Sequence, residues 1–204
     1  PGNVIPGSML NPIGVKTASF WPAPTSAAAN YGANNFTAPT VIQDRADQVS
    51  GKLDHEFTSW LRMNLSYLHY GSTETGEQWY GNIATTDGWV LKRWVDATQA
   101  NAIITPSPTT VVSVRYRYNR FPNDSRNVSV GFDPTTLGFS PELVRQFQAM
   151  QFPGFSLQDF NGIGGGGNSL TVFNSKNLFT SMSKFAGKHN FKAGFDYRRI
   201  NQPF

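Results

Sequence analysis

The sequence predicts an all-β fold. It reads as an antiparallel meander of about six amphipathic strands in three hairpins, with long loops and two short helices. Such a sheet would form part of a β-barrel or of an intermolecular β assembly. Three observations lead there. Stretches of about ten residues alternate apolar and polar with period two. The connections inside each pair of stretches are short, and those between pairs are long. The composition is poor in charge (15%) and in hydrophobic residues (39%), against usual values of roughly 25% and 45–50%. Gly (19), Pro (13) and Asn, Ser and Thr (17 each) fill the gap, and aromatics reach 14%. That balance excludes a coiled coil, a helical bundle and a charge-rich disordered tail.

The elements follow in order, within one β-rich unit spanning 1–204. Residues 1–46 read as loop with a short helix. Asn11 is placed to cap it, with Pro12 at its first position, and it would run to about Phe20. Hairpin 1 covers 47–70. Val49, Gly51, Leu53, His55 and Phe57 alternate with Gln48, Ser50, Lys52, Asp54 and Glu56. After Thr58-Ser59-Trp60, Leu61, Met63, Leu65, Tyr67 and His69 alternate with Arg62, Asn64, Ser66, Leu68 and Tyr70.

Hairpin 2 covers 89–121. Its first strand is interrupted by charge at Lys92-Arg93, and Thr105 to Thr109, with two prolines, reads as the turn. Beyond it Val112, Val114, Tyr116 and Tyr118 face one way, and Ser113, Arg115, Arg117 and Asn119 the other. Residues 122–170 form a long loop. Ser140-Pro141-Glu142 starts a second helix to about Met150, and Gly164 to Gly167 reads as a flexible run. Hairpin 3 covers 171–199. In its last strand Phe191, Ala193, Phe195 and Tyr197 alternate with Lys192, Gly194, Asp196 and Arg198.

Dyad strands with short turns at one end and long loops at the other fit an outer-membrane barrel. Apolar side chains would face lipid and polar ones a wet lumen, with every backbone group paired between strands. Trp60, Tyr70, Trp89 and Phe121 stand at strand ends, where an aromatic girdle would lie. The same alternation also describes a soluble β-sandwich, with core on one side and solvent on the other. No stretch of about 18 apolar residues is present, so no transmembrane helix is expected.

Little here carries reaction chemistry, and no enzyme activity is expected. There is no cysteine, which excludes a disulfide scaffold and thiolate metal sites. His55, His69 and His189 lack metal-ligand spacing. There is no G-x-S-x-G elbow, and the glycine run lacks the Lys-Ser/Thr of a phosphate loop. Glu74, Glu77 and Asp87 read as solvated loop carboxylates rather than a glycosidase pair. No cofactor is implied. The net charge of +4 arises from few acids, and the longest Lys/Arg runs are pairs, so no nucleic-acid partner is expected. The loop aromatics (Trp79, Tyr80, Phe132, Phe139, Phe152, Phe155 and Phe160) could stack on sugars or pack the loops together. Asn35, Asn64, Asn123 and Asn127 begin sequons that read as chance in so Asn/Ser/Thr-rich a chain.

Pro1 to Pro12, Gln48 to Phe57, Ser107 to Phe121 and Gly187 to Arg198, in that order, resemble a known family, the Oar-like TonB-dependent outer-membrane transporters with a carboxypeptidase-regulatory-like domain, abundant in Acidobacteria. Trp21-Pro22-Ala23-Pro24, Leu137-Gly138-Phe139 and Phe152-Pro153 also carry the likeness, in family order over nearly the whole chain. Arg117 stands where the family pattern often has Gly. The resemblance implies a barrel piece in the outer membrane, with an extracellular setting as the alternative. It also implies energy-coupled uptake of a bulky solute, with a TonB system as partner by resemblance only. Arg62, Arg115, Arg117, Lys192 and Arg198 would line the lumen or contact ligand. Val112, Val114, Tyr116, Tyr118, Phe191, Phe195 and Tyr197 would face lipid or a partner.

Six strands cannot close a barrel of the about 22 that such transporters use. The two ends read as cuts through a longer protein with its front half missing. The expected partners are therefore the rest of a barrel, other copies of the chain, and outer-membrane lipid. A processed fragment self-assembling edge to edge into a filament, and a soluble glycan-binding sandwich, remain the other readings.

Overall fold

The computed structural model describes residues 4–27, 34–86 and 88–202, so Pro1–Asn3 and the Asp87 carboxylate lie outside the described residues. Six strands form one antiparallel sheet in sequence order: β1 (Gln43–Thr58), β2 (Leu61–Thr75), β3 (Trp89–Ser107), β4 (Thr110–Asn127), β5 (Ser169–Ala186) and β6 (His189–Asn201). Three turns of two residues join them in pairs, at Ser59-Trp60, Pro108-Thr109 and Gly187-Lys188. Gly187 has φ of +59°, which suits the first central position of a II′ turn and matches the twist of the flanking strands. The hairpin 2 turn is tighter than the expected Thr105–Thr109, because the ladder runs on through Pro106. Most strands also extend beyond the expected limits: β1 starts at Gln43, β2 reaches Thr75 and β4 reaches Asn127. Glu74 accordingly lies within β2 rather than in a loop.

The chain divides into two compact units. One contains most of the sheet: Arg45–Thr73, Lys92–Asp124 and Ser169–Phe204. The other contains the long connections: Pro1–Asp44, Glu74–Leu91 and Ser125–Asn168.

The loop unit has a core of its own. Ala84, Leu137, Phe152 and Ile163 are buried, with Phe20, Trp21, Tyr80, Phe132, Phe139 and Phe155 packed around them. Phe152 contacts the rings of Phe20, Phe132 and Phe155 at centroid distances of 4.7, 5.2 and 6.0 Å. Most of the loop aromatics therefore pack on one another, while Trp79 and Phe160 remain exposed.

Helix α1 (Pro12–Ala18) begins as the sequence predicts. Asn11 Oδ1 accepts from the N–H of Ile13 at 2.8 Å and of Gly14 at 3.3 Å. Helix α2 (Pro141–Val144) starts under its Ser140 cap but stops far short of Met150. Phe147 leaves the helix to pack edge-on against Phe139. Two 3₁₀ turns, Gly7–Met9 and Pro134–Leu137, complete the unit's helical pieces among the described residues.

The glycine run is a packed turn, not a flexible segment. Gly164, Gly165 and Gly166 all have positive φ. The Gly164 N–H donates to Ala84 O at 2.7 Å, and Asn127 Nδ2 donates to Gly165 O at 2.5 Å. A Cβ at Gly164 would collide with Pro153 O and the Phe152 ring, so only glycine lets these backbones approach.

Candidate functional site

Residues directly opposite in an antiparallel pair share a face. The β5–β6 register sets Leu178 against Tyr197, Thr180 against Phe195, Met182 against Ala193 and Lys184 against Phe191. One pleat over, Asn177 opposes Arg198, Phe179 opposes Asp196 and Ser183 opposes Lys192. The side-chain bonds carry the two faces across the other strands. Arg115 lies over the Phe179 ring, 5.6 Å from its centroid, which puts it on the polar face. Tyr118 O–H donates to Asn174 at 3.2 Å, which puts it on the apolar one.

The polar face collects all five of the predicted cations. Arg62 pairs with Glu56 across the first turn at 3.0 Å. Arg117 Nε donates to Gln99 Oε1 at 2.6 Å. Asn177 Nδ2 bridges Asp196 and the Tyr197 carbonyl. Between these groups runs an open groove of about 530 Å³, lined by Ser50, Lys52, Ser66, Gln99, Arg117 and Asn119 among others. By strand parity this face carries Lys52, Arg62, Arg93, Arg115, Arg117, Lys192 and Arg198 with Asp44, Asp54, Glu56, Glu74 and Asp196, so cations exceed carboxylates by seven to five among the described residues. Lys52 is itself paired within β1, with Asp54 at 2.8 Å. A surface of this kind offers charge-assisted hydrogen bonds to polar or anionic groups.

The opposite face is apolar, and many of its large side chains are exposed among the described residues. Val49, Leu53, Phe57, Phe191, Phe195 and Tyr197 are each more than half exposed. Val112, Val114 and Tyr118 are half-buried by their neighbours in the sheet, and Tyr116 is exposed. The buried residues of the sheet unit include the polar Ser72, Asn101 and Asn177 and also Pro122, while the buried hydrophobic cluster belongs to the loop unit. Burying a Val, Leu or Phe side chain is worth about 1.5–3 kcal/mol, so a face of this size is stable only against an apolar medium or partner.

Two features were not predicted from sequence. Tyr67 O–H donates to Asp96 Oδ1 at 2.7 Å, and His69 Nδ1 lies 2.8 Å from the same oxygen. This cluster sits on the apolar-face side, beyond the apolar residues, toward the long-loop end. The aromatic positions also differ. Tyr70, Trp89 and Phe121 have the parity of the polar face, and Trp60 lies in a turn. The apolar face is bordered instead by Tyr67, Trp94, Tyr118 and Tyr197. Tyr70 and Phe121 also lie inside their strands and not at the ends, and a side chain's face follows parity and not distance from the turn.

Comparison with curated proteins and with solved structures finds no match. The profile of the family described as "Outer membrane beta barrel domain" matches residues 1–204. That family accounts for a single antiparallel sheet in sequence order with one apolar and one polar face. The chain belongs to the outer-membrane β-barrel domain family, and its place is the outer membrane.

Proposed function

We propose that this chain is a wall segment of a TonB-dependent transporter that takes up a bulky polar solute. The polar face lines the lumen, and Arg62, Arg115, Arg117, Lys192 and Arg198 meet the solute or the surrounding water. The observation that supports this reading is the polar groove holding Lys52 and Arg117, on a sheet whose other face exposes large apolar side chains. The excess of cations favours a solute bearing carboxylate, sulfate or phosphate groups over a neutral one. Coupling to inner-membrane energy is supported by the motif order shared with Oar-like transporters.

Uptake of labelled acidic and neutral oligosaccharides by cells producing the full protein tests this. Uptake of the acidic solute should stop with an uncoupler and fall severalfold in Arg117→Ser. Uptake that ignores both the uncoupler and the substitution would refute the reading.

A second reading has its own support. β1 pairs only with β2, and β6 only with β5, so both sheet edges are open among the described residues. Edge pairing between copies would give a structural polymer in place of a transporter wall. Particles that grow with protein concentration in detergent would favour it, and concentration-independent particles would exclude it.

A further inference from the structure

We propose that a basic row on the apolar-face side of the sheet binds the phosphate-bearing head group of an outer-leaflet lipid, with Lys176 and Arg199 as its main contacts. The proposal rests on the outer-membrane placement of the sheet and not on the uptake reading.

The register supplies the first observation. Lys176 and Arg199 are direct cross-strand partners, on the same face as Leu178 and Tyr197 and one step beyond them. Like charges directly opposite on a sheet repel. Both residues are exposed, and neither has a carboxylate within 4.0 Å among the described residues. An anion between them turns the repulsion into two charge-assisted bonds.

The second observation is the row itself. Continuing the parity of the apolar face past its tyrosines brings up Arg120 on β4, Lys92 on β3 and Arg45 on β1. Among the described residues three carboxylates share this parity, Asp47, Asp96 and, further along β4, Asp124, and none of them is free. Asp47 lies 3.7 Å from Arg45, and Asp96 is held by Tyr67 and His69. A shallow pocket of about 510 Å³, lined in part by Arg45, His69 and Lys92, opens on the same side.

The third observation is what lies beneath. Below the row come Tyr197, Leu178 and Phe195, an amphipathic ring and then apolar side chains. Tyrosine favours the level of lipid head groups, and cations just beyond it meet the phosphates. The row stands at the end with long connections, which in such barrels faces outward. A soluble anion would use the cations but not the apolar band under them. A phosphorylated lipid uses both.

Native mass spectrometry of the purified protein in a neutral detergent tests this, with diphosphoryl lipid A, its phosphate-free analogue and inorganic phosphate as probes. Retention of the diphosphoryl form is expected, and of the phosphate-free form not. Lys176→Gln with Arg199→Gln should weaken retention at least about tenfold. Lys192→Gln, on the polar face, should leave it unchanged. Equal retention by the double variant, or of the phosphate-free lipid, would overturn the proposal. Displacement of the lipid by millimolar inorganic phosphate would also overturn it, marking a free-anion site. If the double variant does not fold, Lys176→Gln alone decides. It relieves the opposed charges, so it should fold and still lose several-fold in retention, and unchanged retention would count against the proposal.

Discussion

A cation placed at the middle of the apolar face should be far more costly than one at the same depth on the polar face. Ala193 is the position to use. It is exposed, it opposes Met182, and replacing its methyl group removes little apolar area. The apolar side of β6 runs from His189 to Tyr197. At about 3.4 Å per residue and a tilt of about 40°, that stretch rises roughly 21 Å, close to the about 25 Å of a barrel's apolar band. Ala193 stands near its midpoint. Ala193→Arg should therefore cost about 2–4 kcal/mol if lipid surrounds it. Solvent exposure would limit the cost to about 0.5 kcal/mol. Ser181→Arg is the matched control: it lies on the polar face at the same height, opposite Gly194, which leaves room for the side chain. Urea unfolding of the full protein in lipid vesicles, followed by tryptophan fluorescence, reads both. A destabilisation by Ala193→Arg that is no larger than that by Ser181→Arg would refute the two-faced assignment.

Other substitutions probe the remaining parts. Phe152→Ala should cost about 3–5 kcal/mol of loop-unit stability, since its ring is fully buried among three others; limited proteolysis of the loops would show it as faster cleavage. Gly164→Ala should also loosen that unit, by about 1–3 kcal/mol, because φ of +63° and the contact with Pro153 O leave no place for a methyl group; hydrogen exchange at Gly164 and Gly165 would report it. Arg62→Ala should change stability by less than about 1 kcal/mol, because its pair with Glu56 is more than half exposed; denaturant titration checks this. Asp96→Ala leaves the Tyr67 hydroxyl and His69 without their acceptor and should cost about 1 kcal/mol, visible in the same titration.

The middle of each strand was legible in the sequence, and the ends were not. Gln48 to Phe57 and Val112 to Asn119 alternate because one face is apolar throughout and the other polar. Past that band both faces are polar: Arg45 and Asp47 on β1, His69 and Thr73 on β2, Arg120 on β4. The ladder continues there, but period two has no contrast left to show it. The basic row was hidden for that reason. Finding it required knowing that Lys176 meets Arg199, a pairing set by register and not by spacing along the chain.

The cation set on the polar face was legible, since parity alone places Arg115, Arg117, Lys192 and Arg198. The loops were legible only at their caps, Asn11 and Ser140, where one residue's side chain decides the outcome. The packing of Gly164 against Ala84, and of Phe152 among its rings, joins residues far apart in sequence and left no local signal.

The most direct test of the central claim is the environment of successive residues along β4. The chain has no cysteine, so single cysteines can be introduced cleanly from Val112 to Tyr118 and spin-labelled in reconstituted full-length protein. Power saturation with oxygen and with a water-soluble nickel chelate then reads lipid against water at each position. The predicted result is strict alternation. Labels at Val112, Val114, Tyr116 and Tyr118 should respond to oxygen, and labels at Ser113, Arg115 and Arg117 to nickel. Uniform nickel access at all seven positions, or the reverse alternation, would contradict the account.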